Sequence, residues 1–427
     1  MSTIKGLLVA ALACQLAAPG VARAQAPGAA LKARADAEVQ PVLATLKELT
    51  SIESGSRDLD GLSRIADLIA RRLGAAGMAV QVLPSKAPDF HPRLKGAPLG
   101  STVLATRQGT GPKKVLLIAH MDTVYERGMA AKQPFHVDGE RAYGLGIADD
   151  KGGVALILHT VQLLAELGHR DYAELAVLIN ADEEIGSPGS AALLTQLGSE
   201  YDVVMSFEGT GRDDFVRLAT SSSASAELRV TGKASHAGVS PEAGRNALVE
   251  LAHQIVQTRH LDDRARGLRF NWITAQASGP GNVIPATAVA VADVRARASE
   301  DFDGIERQLR ELIQNRLVPD THVELIFRRG RPAFAANAAS HALAARAVRI
   351  YEEIGLRLGV QQRANGGGTD AAYVGLRPRG GVLEGFGLAG AGSHSNQDEY
   401  IFVPSIASRL YLATRMVMEA GAGRIAW

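Results

Sequence analysis

Acidic and histidine side chains stand where short apolar runs stop. His120-Met121-Asp122 follows residues 115–119, and Asp149-Asp150-Lys151-Gly152-Gly153 opens a helical run. Asp182-Glu183-Glu184 follows residues 175–179, Glu208 follows 201–207, and Ser393-His394-Ser395 sits late in the chain. Taken singly, each has an ordinary explanation: a strand-end Asp is a helix N-cap, a lone His a surface group, a Glu-Glu pair a solvated turn. Gathered at one sheet edge, these carboxylates would repel one another unless cations neutralised them. Imidazole plus carboxylate, without thiolate, suits zinc or a neighbouring first-row ion rather than calcium. The number of groups suggests two ions, about 3.5–4 Å apart and sharing one carboxylate. The helical His-Glu-x-x-His zinc motif is absent from the sequence.

Such groups need a scaffold that brings distant strand ends together. Residues 115–119, 175–179 and 201–207 read as buried strands, with a helix over 152–167 between the first two. That order is the pattern of an α/β doubly wound, mostly parallel sheet, which binds ligands at the carboxyl ends of its strands. Upstream, residues 38–84 read as helical, with i, i+3, i+4 apolar spacing over 38–52 and 59–76. The character changes near Ser221. Residues 226–231, 286–296 and 322–328 alternate, while 246–258 and 303–317 are amphipathic helices. This predicts a smaller α+β unit, a mostly antiparallel sheet covered on one side, inserted at 220–331. The larger unit then comprises 25–219 and 332–427, since the parallel pattern resumes after Pro332.

Residues 1–24 are set apart. Lys5 precedes an apolar stretch over 6–18, and Ala22-Arg23-Ala24 offers a cleavage site, the pattern of a secretory signal peptide. The apolar run is shorter than the ~20 residues a membrane span requires. A periplasmic or secreted location, after cleavage near Ala24, is the expectation. The single cysteine, Cys14, lies in this leader, so the mature chain has neither disulfides nor thiolate metal sites. Lys and Arg number 46 against 45 Asp and Glu, without a basic stripe, which argues against nucleic acid as a partner. With 46% hydrophobic and 21% charged residues over 427 positions, the chain is globular rather than disordered.

A longer ordered series carries a resemblance. It comprises His120-Met-Asp-Thr-Val124, Gly144-Leu-Gly-Ile-Ala-Asp-Asp-Lys-Gly-Gly153, Asp182-Glu-Glu184, Ser206-Phe-Glu208 and Gly232-Lys-Ala-Ser-His-Ala-Gly238. It continues with Gly330-Arg-Pro-Ala-Phe334, Gly366-Gly-Gly-Thr-Asp370 and Gly392-Ser-His-Ser395. The series resembles the dizinc metallopeptidase family of aminoacylase, succinyl-diaminopimelate desuccinylase and glutamate carboxypeptidase, most of all its bacterial glutamate carboxypeptidases (carboxypeptidase G). The resemblance implies two Zn²⁺ per subunit, with Co²⁺ or Mn²⁺ as substitutes. The Asp149 carboxylate would bridge both ions, His120 and Glu208 would complete one site, and Glu184 and His394 the other, with the Asp149–Asp150 peptide cis. Glu183 is similar to the family's general base, and Asp122 to the carboxylate that orients His120. His236 resembles a histidine that reaches the partner subunit's active site, which makes the inserted unit a lid and homodimer interface. Read alone, it is a surface histidine in a turn. Asn282 and Arg331 resemble positions that hold the substrate's α-carboxylate, a task suited to the planar guanidinium. Gly367 and Gly368 either add backbone N–H donors or form a plain turn.

The resemblance thus implies a metallo-carboxypeptidase acting on a C-terminal amino acid, glutamate above all, in folate-like or N-acyl-glutamate substrates. An N-acyl-amino-acid amidohydrolase or dipeptidase preferring an apolar residue is the alternative. A metal-binding dimer module without catalysis would lack the base, and Glu183 is present. The side-chain preference hangs on residues 209–217, where Arg212 or Arg217 could meet a γ-carboxylate, or Phe215 could occupy that position instead.

Overall fold

The computed structural model describes residues 27–427 apart from 90, 92, 396 and 397. The leader expected over 1–24, with Cys14 and the cleavage point near Ala24, lies outside the described residues.

The larger sheet has eight strands, in the order Ala79–Lys86, Pro98–Gln108, Glu174–Asn180, Lys114–His120, Val203–Ser206, Gly381–Glu384, Phe215–Arg217 and Gly359–Gln361. Lys114–His120 runs parallel to both its neighbours, and Gly381–Glu384 parallel to Val203–Ser206. These central strands are continuous apolar runs because both faces are covered. Val115, Leu117 and Ala119 face one way, onto helices Val39–Ser51, Lys151–Glu166 and Ser405–Gly421. Leu116 and Ile118 face the other, onto the helices Ala191–Gly198 and Ala371–Val374.

Register sets the site. His120, last in its strand, lies opposite Asn180, and Ile118 lies opposite Ser206. The segments 120–122, 182–184 and 207–208 therefore leave the sheet level with one another. Asp150 then caps helix Lys151–Glu166, its carboxylate accepting the Gly153 N–H at 3.2 Å.

Two predicted elements need correction. Residues 79–84 are not helical: Ala79–Lys86 is an edge strand, antiparallel to Pro98–Gln108 with Val82 opposite Val103. The helical spacing stops at Gly77, and an edge strand buries too little of its length to show a clear period. The helix foreseen over 303–317 is Asp301–Leu312. Buried Glu250 captures the Leu317 and Val318 N–H groups at 2.9 and 2.7 Å, holding that segment outside the helix.

The second sheet is antiparallel throughout, in the order Arg269–Gln276, Thr287–Ala296, Ser222–Thr231, His322–Arg329. Helices Ala247–Thr258 and Asp301–Leu312 cover one face, where Leu251, Ile305 and Leu309 pack on Ala290, Ala292 and Val294. The chain passes between the two sheets through Ala219–Thr220 and Phe334–Ala335, which pair with each other. Among the described residues no helix is long and apolar enough to cross a membrane.

Candidate metal centre

The strand ends bring His120, Asp149 and Glu208 together, and Asp149, Glu184 and His394 beside them, each set with its ligand atoms within 4.8 Å of one another. His120 Nε2 lies 3.1 Å from Asp149 Oδ1 and 3.3 Å from Glu208 Oε1. His394 Nε2 lies 3.3 Å from Asp149 Oδ2 and 3.2 Å from Glu184 Oε2. Asp149 thus presents one oxygen to each histidine. Each set offers one imidazole nitrogen and two carboxylates, a donor set that suits zinc and its neighbours.

Asp122, Glu399 and the backbone at His394 aim these groups. Asp122, fully buried, accepts the Glu183 and Glu184 backbone N–H groups at 3.1 and 3.2 Å and the Ser56 hydroxyl at 2.7 Å. Its Oδ1 also lies 3.4 Å from His120 Nδ1, and its carbonyl oxygen 3.0 Å, which leaves His120 Nε2 for a cation. Glu399 accepts the N–H groups of Gly146, Ala148 and Asp149 at 2.8, 2.8 and 3.1 Å and the Tyr125 hydroxyl at 2.6 Å, fixing the loop that carries the shared carboxylate. The Asp149–Asp150 peptide is cis. His394 has a left-handed backbone, φ 63°, a conformation that L-residues seldom adopt and that here points the ring at Asp149 and Glu184.

The electrostatics ask for positive charge. Burial opposes a charged His120, but Glu208 and the hydrogen bonds to Asp122 and Asp149 outweigh it and hold its pKa well above the usual imidazole range. Hydrogen bonds to Asp149 and Glu184 lift His394 to about 10. Burial would raise Asp149, yet the two imidazoles hold it well below the ordinary carboxylate range. Burial and the adjacent Asp149 push Glu184 up to about 7. Protons on the imidazoles or bound cations satisfy this demand, and cations do so without protonating a ligand.

Glu183 and Arg331 form a buried ion pair at the same cavity. Arg331 also donates to the Glu183 carbonyl at 2.6 Å, the Gly368 carbonyl at 2.8 Å and Ser187 Oγ at 3.2 Å, while its Nε has no partner among the described residues. Burial raises the Glu183 pKa well above the carboxylate range, against the pull of Arg331. In the glycine loop, Gly366 N–H bonds Ser221 and Gly367 N–H bonds Asn365, leaving Gly368 N–H without a partner among the described residues. Arg217 lines the cavity, 3.3 Å from buried Glu384 and 5.1 Å above the Phe215 ring, whereas Arg212 is exposed and off the cavity wall.

The single chain does not bring His236 or Asn282 to this cavity. Both are exposed at one end of the second sheet, close together, with Ala237 N–H bonded to the Asn282 carbonyl at 2.8 Å. Sequence reasoning missed Glu399 entirely. Its only signal was a carboxylate five residues beyond His394, in a segment without a recognisable period.

A family profile described as Peptidase family M20/M25/M40 matches residues 116–419. The chain is 43% identical over 417 residues to carboxypeptidase G2 of Pseudomonas sp. (strain RS-16), covering 97% of this chain and 98% of that protein. It is 29% identical over 334 residues to the succinyl-diaminopimelate desuccinylase of Maricaulis maris (strain MCS10), covering 74% and 83% of the two. Among solved structures, the dipeptidase Dug1p of Saccharomyces cerevisiae matches with a TM-score of 0.74 at 13% identity, covering 92% of this chain and 98% of that one, a likeness of fold.

Glu399→Gln puts an amide N–H₂ against backbone donors that now meet an oxygen. Metal affinity should fall by about 10–100-fold, measured by competition with a chelator. Unchanged affinity would remove Glu399 from the positioning of Asp149.

Proposed function

The chain belongs to peptidase family M20/M25/M40 and is a carboxypeptidase G2-like metallopeptidase, and from that premise we propose that it hydrolyses the amide bond to a C-terminal glutamate, in folate-like or N-acyl-glutamate compounds. The observation that carries this reading is the Glu183–Arg331 pair at the cavity wall that also holds Asp149, Glu184, Glu208 and His394. Cleavage next to a C-terminal carboxylate needs a proton carrier and a carboxylate-binding cation side by side. Two Zn²⁺ ions, or Co²⁺ or Mn²⁺ in their place, held by His120, Asp149 and Glu208 and by Asp149, Glu184 and His394, would polarise the scissile carbonyl and acidify the attacking water.

The chain's own residues do the rest. Glu183 takes the proton of the attacking water and returns it to the leaving nitrogen, and burial gives this carboxylate the basicity such a carrier needs. Arg331 meets the substrate's α-carboxylate, with Gly368 N–H as a second donor. Arg217, propped on Phe215 and held by Glu384, meets the γ-carboxylate. Phe215 lies off the cavity wall, which speaks for glutamate over the apolar alternative.

Exposed His236 and Asn282 act in a second subunit's site, so the inserted unit is both lid and homodimer interface. What supports this is that both are exposed off the wall of their own chain's cavity and lie close to each other. The protein is exported to the periplasm or beyond, on the strength of the leader pattern over 1–24 alone.

A panel of substrates with one fixed acyl group tests the side-chain preference. C-terminal Glu should exceed Leu and Phe in kcat/KM by at least about 100-fold, because an apolar residue leaves buried polar groups unpaired. A preference for Leu or Phe would move the assignment to the amidohydrolase or dipeptidase alternative.

The lid is tested by mixing two variants. Glu183→Gln should keep its metals and lose at least ~10²-fold in kcat, and His236→Ala about 10²–10³-fold. Under conditions of subunit exchange, activity should reappear, since one site of a mixed dimer holds both intact residues. No recovery, with exchange demonstrated, would place His236 outside the partner's site.

A further inference from the structure

We propose that the cavity-facing end of the second sheet, bearing Arg269, Arg295 and Arg328, is an anion subsite that selects substrates whose acyl portion carries a carboxylate. The proposal rests on the peptidase reading above and names the acyl class that reading leaves open.

Alternation puts these arginines there. On the strands Arg269–Gln276, Thr287–Ala296 and His322–Arg329, the residues Phe270, Val294 and Phe327 pack into the helix-covered core. Their neighbours Arg269, Arg295 and Arg328 therefore fall on the open face, and all three line the cavity that holds Asp149, Glu184, Glu208 and His394. That cavity measures about 1370 Å³, above the range of ordinary small-molecule pockets, so it has room for an acyl group as well as one amino acid.

The charges on this face do not balance within the chain. Arg295 forks onto Asp293 at 2.9 and 3.0 Å. Arg328 donates to Glu227 at 2.7 Å, but Glu227 also serves Arg229 at 2.7 Å. Arg269 has no side-chain partner among the described residues. It also stands directly opposite Arg295 in the antiparallel register. Like charges directly opposite one another destabilise a sheet, and an anion between them would reverse the sign of that interaction. The guanidinium of Arg269, with no partner of its own among the described residues, can take a carboxylate in a forked geometry beside the partly neutralised Arg295 and Arg328.

A near-isosteric pair isolates the acyl charge: acetyl-Glu-Glu and acetyl-Gln-Glu share the scissile bond and the C-terminal glutamate. The metal-loaded full chain should favour acetyl-Glu-Glu by about tenfold in kcat/KM, through KM, a ratio within reach of hydrogen bonds to a charged group. The preference should shrink with added salt, as for partly exposed charges. Arg269→Gln and Arg295→Gln should each bring the ratio of the two substrates towards one, and Arg269→Lys should retain most of it. Calorimetric binding of both compounds to metal-loaded Glu183→Gln should show the same ratio, a readout that does not need turnover.

Equal use and equal binding of the two compounds would overturn the subsite. So would variants that slow both substrates equally. Arginine variants that change the sedimentation mass would assign this face to subunit contacts, and would also overturn it. A chain that cleaves no C-terminal glutamate but binds acetyl-Glu-Glu tenfold better would fail the peptidase reading while keeping the subsite.

Discussion

The two oxygens of Asp149 face two different histidines, and the arrangement of the site turns on that one sharing. A carboxylate can serve both sides only if its backbone is fixed and its neighbours approach from opposite directions. Glu399 fixes the backbone through three N–H groups of the 146–149 loop. The parallel strands bring His120 and Glu208 to one side, and His394 arrives on the other from a left-handed turn. Carboxylates so crowded are unfavourable without a cation. The site therefore stores its affinity for metal in a sheet that folds around a continuous apolar core.

The same geometry separates the tasks. Asp122 holds the backbone of both Glu183 and Glu184, so neighbouring residues meet different partners from one anchor. Glu184 turns to His394, while Glu183 turns to Arg331. A change in the metal set therefore need not displace Glu183, and Arg331 stays paired with it. The second sheet contributes charge from its open face while its covered face stays an ordinary apolar core.

The candidate ligands are legible in the sequence because their strands are buried on both faces and read as plain apolar runs ending at His120, Asp182 and Glu208. The edge strand Ala79–Lys86 was not, because its partly exposed residues carry no firm period and follow directly on a helix. The end of helix Asp301–Leu312 was hidden for another reason: Glu250, distant in sequence, captures the N–H groups beyond it. Glu399 shows the same limit at the site. A carboxylate that organises backbone through tertiary contacts leaves no local pattern. The side-chain question around residues 212–217 needed the cavity itself, since only the folded chain separates Arg217 on its wall from Arg212 in solvent.

Metal content per chain tests the shared carboxylate most directly. Measured by elemental analysis after dialysis against limiting zinc, the unaltered chain should hold two ions. Glu208→Gln and Glu184→Gln should each hold one, and Asp149→Asn should lose both, because its carboxylate belongs to each set. An Asp149→Asn protein that keeps one tightly bound ion would contradict a bridging role and reduce the centre to two independent sites.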